Sequence, residues 1–550
     1  MMTTVILPII HADHITVQGT VSGTWSADTV FVAGDLLVAD GQHLLIQPGV
    51  KVIFNGTFHF FIEGSIEAVG NETDSIFFTV ADTTGFGTDT IAAGGWRGIR
   101  FDGNRVSNDT SLFLYCHFAF GKMVSDDPAT GNGGAISVRG FNKVRIGRSL
   151  FRHNFATFNG GAVSLDSANI MIHDCAFRHN RCGLSLPPWG YGGAVSSDNS
   201  SPGIRGNIFE NNASTGIGGA LAVRYIDCDI YSNVITWNYS ALGGGIGILH
   251  MPEVSRRINN NLIADNTALY FGGGVANINA SPIYINNTIA FNTATYGGGF
   301  YCKDSVSPDF YNTIIWGNTA AVGDQGYLFE VYSQADFFHC DVEGGPELFG
   351  GSGGGEAFFG AYEACIEEDP LFAFQGLHPY SLASGSPCID AGATDTTGFM
   401  LPAFDLEGNP RVSGGRIDIG AYEFMVTGVG AWGHGGVEAW GHGGVVVWPN
   451  PTTGKFRVQS SEFRVQSSEF RVQSSEFRVQ SSKFKVELHS LELIDIYGNI
   501  LETSNPVTLE PWNPGTLELN ISHLPAGIYF LRVWDGNSFQ SVKLIKVSHR

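Results

Sequence analysis

Between residues 15 and 101 apolar residues arrive in short alternating runs: Val30-Phe31-Val32, Leu44-Leu45-Ile46, Lys51-Val52-Ile53-Phe54 and Phe60-Phe61-Ile62. Gly34, Gly41, Gly49, Gly56, Gly64 and Gly70 punctuate them. Runs this short, with a breaker at each end, predict strands and turns and not helices. From Gly133 the style becomes periodic. Seven units open on a Gly-Gly pair and a small or apolar residue: Gly133-Gly134-Ala135, Gly160-Gly161-Ala162, Gly192-Gly193-Ala194, Gly218-Gly219-Ala220, Gly244-Gly245-Ile246, Gly273-Gly274-Val275 and Gly298-Gly299-Phe300. Each closes on an Asn, at 154, 180, 212, 238, 266, 292 and 318, with spacings of 26, 32, 26, 28, 26 and 26 residues. A period in the twenties predicts a solenoid.

The columns of the repeat separate by chemistry. Three residues before each Asn stand Phe151, Phe177, Phe209, Ile235, Ile263, Ile289 and Ile315, an unbroken apolar column suited to an inward-facing stack. After the Gly pair the second and fourth positions are mostly apolar (Ile136 and Val138, Val163 and Leu165, Leu221 and Val223), and the third and fifth mostly small or polar. Period two puts the former inside and the latter on the outer face. Asn tolerates a left-handed corner, and its amide can bond the same amide one coil away, so the Asn column reads as scaffold. Coils about 4.8 Å apart make seven units a stack of roughly 30 Å.

Composition narrows the class. Among 550 residues, 73 are glycine, 43% are hydrophobic and 15% charged, a mix too apolar for a disordered chain and suited to many short strands. The net charge of −22 argues against nucleic acid as a partner and favours cations, or substrates reached through them. No apolar run is long enough for a membrane helix, so an integral membrane protein is not expected. The eight cysteines form no CxxC pair and read as small apolar fillers, with Cys340 and Cys365 spaced to stack or bridge.

Five residues past the second Gly of each unit lies an outward column: Arg139, Asp166, Asp198, Arg224, His250, Asn279 and Asp304. Asp166 and Asp198 are expected one coil apart, at about 5 Å. Two stacked carboxylates suit Ca²⁺, which takes hard oxygen ligands, and that separation also suits a retaining glycosidase. Beside them stands the reading of a solvated face with alternating charges. A second column, Arg152-His153 and Arg178-His179 followed by Glu210-Asn211, is a candidate grip for an anionic sugar chain. The ligand-binding candidates are thus Arg139, Arg152, His153, Arg178, His179 and His250; the metal candidates are Asp166 and Asp198.

The opening runs, with Gly95-Trp96-Arg97-Gly98-Ile99, resemble the first coils of secreted right-handed parallel β-helix proteins, the architecture of the pectate lyases. The resemblance spans roughly residues 15–375, placing the β-helix at 13–375, and implies a fold, not an activity. No lyase motif matches residue by residue. What it implies is a place to look, the outer sheet, where Asp166, Asp198 and Arg224 are the catalytic candidates, Arg224 as a base or to neutralise an acidic sugar.

Past Asn318 the register decays through a Gly-rich stretch, residues 344–360, read as a loop or a distorted last coil. Asp369-Pro370-Leu371-Phe372, Ser386-Pro387-Cys388-Ile389-Asp390-Ala391-Gly392, Gly408-Asn409-Pro410-Arg411 and Asp418-Ile419-Gly420-Ala421-Tyr422-Glu423 resemble the closing segment that follows the β-helix in many bacterial surface proteins. That segment, residues 376–424, is expected to cover the exposed edge of the last coil. A Gly-rich linker, 425–447, holds a duplicated Ala-Trp-Gly-His-Gly-Gly-Val. Its Gly-His-Gly triplets lack paired aspartates on neighbouring coils and carry no chemistry. The heptad Phe456-Arg457-Val458-Gln459-Ser460-Ser461-Glu462 then recurs to Lys483, with neither a coiled-coil pattern nor an even strand period.

Around that insertion, Trp448-Pro449-Asn450-Pro451-Thr452-Thr453-Gly454, Leu493-Ile494-Asp495-Ile496-Tyr497-Gly498 and Leu524-Pro525-Ala526-Gly527-Ile528-Tyr529-Phe530-Leu531 resemble the type A sorting domain of the type IX secretion system of Bacteroidetes and relatives. The resemblance implies a small β-sandwich over 448–550 that directs the chain across the outer membrane and is often removed afterwards. It further implies the type IX machinery as partner and a place outside, or on the outer surface of, a Gram-negative bacterium. The apolar run Val5 to Ile10 with His11-Ala12 resembles the tail of a signal peptide over 1–12 whose basic start is missing. The expected molecule is all-β, a right-handed parallel β-helix followed by a small β-sandwich. The function classes are a polysaccharide-binding or adhesive surface protein, a lyase or glycoside hydrolase on acidic polysaccharide with Ca²⁺ as cofactor, or a structural surface protein.

Overall fold

The computed structural model describes residues 14–425, apart from 185–188, 226–227, 251–256, 376–377 and 413–414, and beyond 425 the backbone of the strands given below. The apolar run at 5–10 and the duplicated segment 431–444 lie outside the described residues. The chain divides into two compact units, 1–425 and 426–550.

In the first unit every named strand pair is parallel, and each coil contributes up to four short strands. In the coil of Asn212 these are Val195–Asp198, Gly203–Arg205, Ile208–Glu210 and Ala213–Ser214, which define four rows. The first row pairs Ile136–Arg139, Val163–Asp166, Val195–Asp198, Leu221–Arg224, Ile246–Leu249, Val275–Ile278 and Phe300–Lys303 in strict register. The second row is a 13-stranded parallel sheet and the fourth an 8-stranded one. This is a parallel β-helix, as the repeat predicts.

Its core is the expected apolar column. Phe78, Phe118, Phe151, Phe177 and Phe209 stack nearly parallel with ring centroids 4.9, 4.7, 4.8 and 4.9 Å apart. These spacings are those of the strands themselves, so one aromatic per coil fills the axis without a gap. Ile235, Ile263, Ile289 and Ile315 continue the column, fully buried.

The Asn column is a ladder. Asn154, Asn180, Asn212, Asn238, Asn266 and Asn292 each donate Nδ2–H to the Oδ1 of the next Asn at 2.8 to 3.0 Å. Each also accepts a backbone N–H, and the side chains are almost wholly buried. The left-handed corner lies one residue earlier than expected. Positive φ falls on His153, His179, Asn211, Trp237, Asp265, Phe291 and Gly317, leaving the Asn to turn its amide inward. A second ladder runs at the preceding corner: Cys175, Asn207, Asn233 and Asn261 each donate backbone N–H to the Oδ1 one coil on, and Thr313 and Cys340 extend the column to Cys365. Cys340 and Cys365 therefore stack, and neither is in a disulfide.

The Gly pairs have separate causes. Gly218 adopts φ +72°, and a Cβ on Gly219 would sit 2.1 Å from the carbonyl oxygen of Gly244 on the next coil. One glycine turns the chain and the other lets the coils touch.

The stretch 344–366 forms a truncated last coil, bridged to its neighbour at Tyr327–Gly350 and Asp341–Ile366. Phe349 fills its interior against Phe300, Phe337 and Phe358, with centroids 5.3, 5.5 and 5.7 Å away. The closing segment departs from expectation. Instead of covering the last edge it doubles back as a strap along the flank of the stack. Phe372, Tyr380, Leu382, Cys388, Ile419 and Tyr422 pack on Leu262, Ala264, Ala290 and Ile314, the outward residues of the third row. Asn286 Nδ2 donates to Asp418 O at 2.9 Å, and Asn312 Oδ1 accepts the Ala393 N–H at 2.7 Å. The physical reason is that the last coil already closes itself with Phe349 and Phe358, while the third row presents an apolar flank that water would otherwise meet.

Among its described residues the second unit holds two three-stranded antiparallel sheets, in keeping with a small β-sandwich. One joins Val445–Trp448, Lys455–Ser460 and Thr516–Asn520; the other joins Ser490–Asp495, Gly527–Trp534 and Phe539–Lys546. Within the heptad copies, Phe470–Val472 pairs with Ser475–Phe477 in a two-stranded antiparallel sheet.

Candidate functional site

Strand alternation turns the last residue of each first-row strand outward, and the ladder aligns them as Asp102, Arg139, Asp166, Asp198, Arg224, Leu249, Ile278 and Lys303. The four residues singled out first, Arg139, Asp166, Asp198 and Arg224, share this column. His250, Asn279 and Asp304 do not: they sit one position on, at left-handed corners with Ser167, Asn199 and Tyr225. The cause is a third glycine. The turn-forming residues equivalent to Gly218 are Gly243, Gly272 and Gly297, so the pair that opens these coils begins one residue earlier than the sequence count assumes.

Arg139, Asp166, Asp198 and Arg224 line one cleft of about 420 Å³ with Pro128, Ala129, Asn132, Ser137, Asn159, Ser164, Asn199 and Tyr225. Its floor is Ser137 and Ser164, at the second position of the first-row strands, in a column that runs coil by coil through Arg100, Ser137, Ser164, Ser196, Ala222 and Gly247. Small side chains there make the depression. At the upper end Arg100 is buried with its guanidinium on the carbonyls of Arg97 and Asn132. Further down, Tyr301 takes the floor position and packs with Phe271, at 4.6 Å between centroids.

Each carboxylate faces a guanidinium. Arg139 lies between Asp102, at 3.5 Å, and Asp166, at 3.4 Å. Arg224 grips Asp198 with both Nε and a terminal nitrogen, the planar fork that suits a carboxylate. This pair is the more protected, with side chains 15% and 14% exposed against 38% and 43% for Arg139 and Asp166. The Arg224 guanidinium also lies 3.9 Å from the centre of the Tyr191 ring. Burial alone would lower its pKa; the hydrogen bonds and charge of Asp198 outweigh that and raise it. At the rim the Tyr225 and His250 rings stack at 5.5 Å.

Arg152, His153, Arg178 and His179 lie elsewhere, at the corner between the third and fourth rows. His153 and His179 stack at 5.2 Å and 7°, and Arg178 pairs with Glu210 at 3.0 Å. Burial first, then His179 and Arg152, hold His153 below its ordinary pKa, favouring the neutral ring. Tyr191 and Tyr225 escaped the sequence reading. Tyr225 follows Arg224 at the corner position, and aligning glycines by their turn would have found its partnership with His250.

Among the described residues no group of three or more His, Cys, Asp or Glu is arranged to hold a metal ion, and no helix is long and apolar enough to cross a membrane. Over residues 446–547 the chain matches the secretion system C-terminal sorting domain. The protein is a type IX cargo. As a cargo it is carried to the cell surface or the extracellular space of a Gram-negative bacterium, with the secretion machinery as a partner. No curated protein matches the sequence.

Proposed function

We propose that this exported β-helix binds polysaccharide along its first-row cleft and holds the polymer without cutting it. The observation that supports binding is the pairing of Asp166 with Arg139 and of Asp198 with Arg224. A general base or nucleophile needs a carboxylate free to take a proton or attack, whereas a binding surface benefits from polar groups already fixed in place. Retention in gels or on arrays carrying polysaccharides tests it: retention without new reducing or unsaturated ends is the expected result. Silence towards every polymer would favour a structural surface protein.

A second reading is a lyase or glycosidase acting on acidic polysaccharide, with Asp166, Asp198 and Arg224 at its centre and Ca²⁺ between the carboxylates. Its support is that Asp166 and Asp198 are direct partners on neighbouring strands. Turnover that appears with Ca²⁺ and is lost in Asp166→Ala with Asp198→Ala would establish it in place of the first.

A further inference from the structure

We infer that the cleft takes an uncharged glycan, a chain of neutral sugars lying along the first row; this rests on the polysaccharide-binding reading above. The two guanidinium groups that line the cleft, Arg139 and Arg224, are each engaged by carboxylates. An anionic sugar would have to pull one of them away. Taking Arg224 would leave Asp198, whose side chain is only 14% exposed, without its counter-charge, and taking Arg139 would bring the anion against both Asp102 and Asp166. Breaking a desolvated pair by removing one partner costs far more than the pair contributes, so the exchange is disfavoured.

Neutral hydroxyls face no such penalty. A guanidinium has five N–H donors and a carboxylate about four acceptor directions, so each pair keeps capacity for sugar hydroxyls while staying intact. The floor adds to this, because Ser137 and Ser164 line the cleft with uncharged hydroxyls that can donate to or accept from a sugar hydroxyl. Tyr225, about half exposed and backed by His250, offers an apolar ring face to a sugar ring. The coil spacing of about 4.8 Å repeats these groups at close to the length of one sugar unit along a polymer.

The test is affinity electrophoresis of the full chain through gels carrying galactomannan or mixed-linkage glucan, set against polygalacturonate and alginate. The expected result is retention by a neutral polymer that changes by less than about twofold from about 0.05 to about 0.5 M NaCl. Tyr225→Ala should weaken it by about tenfold. The charge-neutral double variant Arg139→Gln with Asp166→Asn should keep it within about threefold. Retention only by the uronic-acid polymers, lost with salt, would overturn the neutral assignment and leave the binding reading standing. Retention by no polymer would overturn both. Neutral retention indifferent to Tyr225→Ala would overturn this cleft as the place.

Discussion

Asn212 lies mid-ladder, where its amide makes four bonds at once. It accepts Asn180 N–H and Asn180 Nδ2–H at 3.0 and 2.9 Å, and donates to Phe177 O and Asn238 Oδ1 at 2.9 and 3.0 Å. Asn212→Ala leaves several buried groups unpaired at once, so we expect a loss of about 4 kcal/mol, read as a lower urea midpoint. Thr293 makes the opposite case. Its hydroxyl bonds Thr319 Oγ1 at 3.0 Å, but in the open, and Thr293→Ala should move stability by no more than about 0.5 kcal/mol. The same distinction explains what the sequence could reveal. The first ladder was visible because only Asn fills it from Asn154 to Asn318. The second was not, because Cys, Asn and Thr exchange in a column where any small acceptor serves. The left-handed corner was misplaced by one residue because His153, Trp237 and Phe291 all tolerate it once packing imposes it; residue type carried no signal there.

The strap is the element whose placement the sequence hid, although its docking site was written in the third row. The last outward position of its strands runs Arg152, Arg178, Glu210 and Thr236, then turns apolar at Ala264, Ala290 and Trp316, where the strap lies. A change of face chemistry within one row signals a cover; reading the strap motifs alone did not. The strap is pinned at Asp341, whose Oδ2 accepts the Cys388 thiol at 3.1 Å while Oδ1 has no partner. Burial, with Glu368 and Asp369 nearby, lifts the Asp341 carboxyl from 3.8 to about 7. Burial likewise lifts Glu423 to about 8 despite Arg411. Both acids hold protons in the folded chain at pH values where the unfolded chain has lost them. Their contribution is therefore complete below about pH 4 and declines as pH rises through 7 to 8. Amide protection at Ile419 and Ala421, corrected for intrinsic exchange, should fall across that window. Asp341→Asn should flatten the lower part of the decline and leave the part due to Glu423; an unchanged slope would count against Asp341 as a source.

At the scale of the whole molecule, the β-helix is a solenoid built coil on coil, and residues 1–425 form one compact unit and 426–550 another. Its architecture was legible because a repeat states it many times over. The cleft was half legible, since four charged residues in true register were found and the glycine triplets displaced the rest. Export depends on the other unit. A chain ending at residue 425 should keep the far-UV signal of the β-helix and stay inside the outer membrane, as surface immunolabelling and cell fractionation would show. The heptad copies make the finer case. An insert with an odd period reverses the faces of a strand at each copy, so further copies cannot extend either three-stranded sheet. In agreement with that, Phe470–Val472 and Ser475–Phe477 pair with each other, while Lys455–Ser460, which overlaps the first copy, joins Val445–Trp448 and Thr516–Asn520. Removing residues 463–483 should therefore leave that sheet's pairing and the export of the chain unchanged. Retention of the shortened chain inside the cell would show instead that the copies act in sorting.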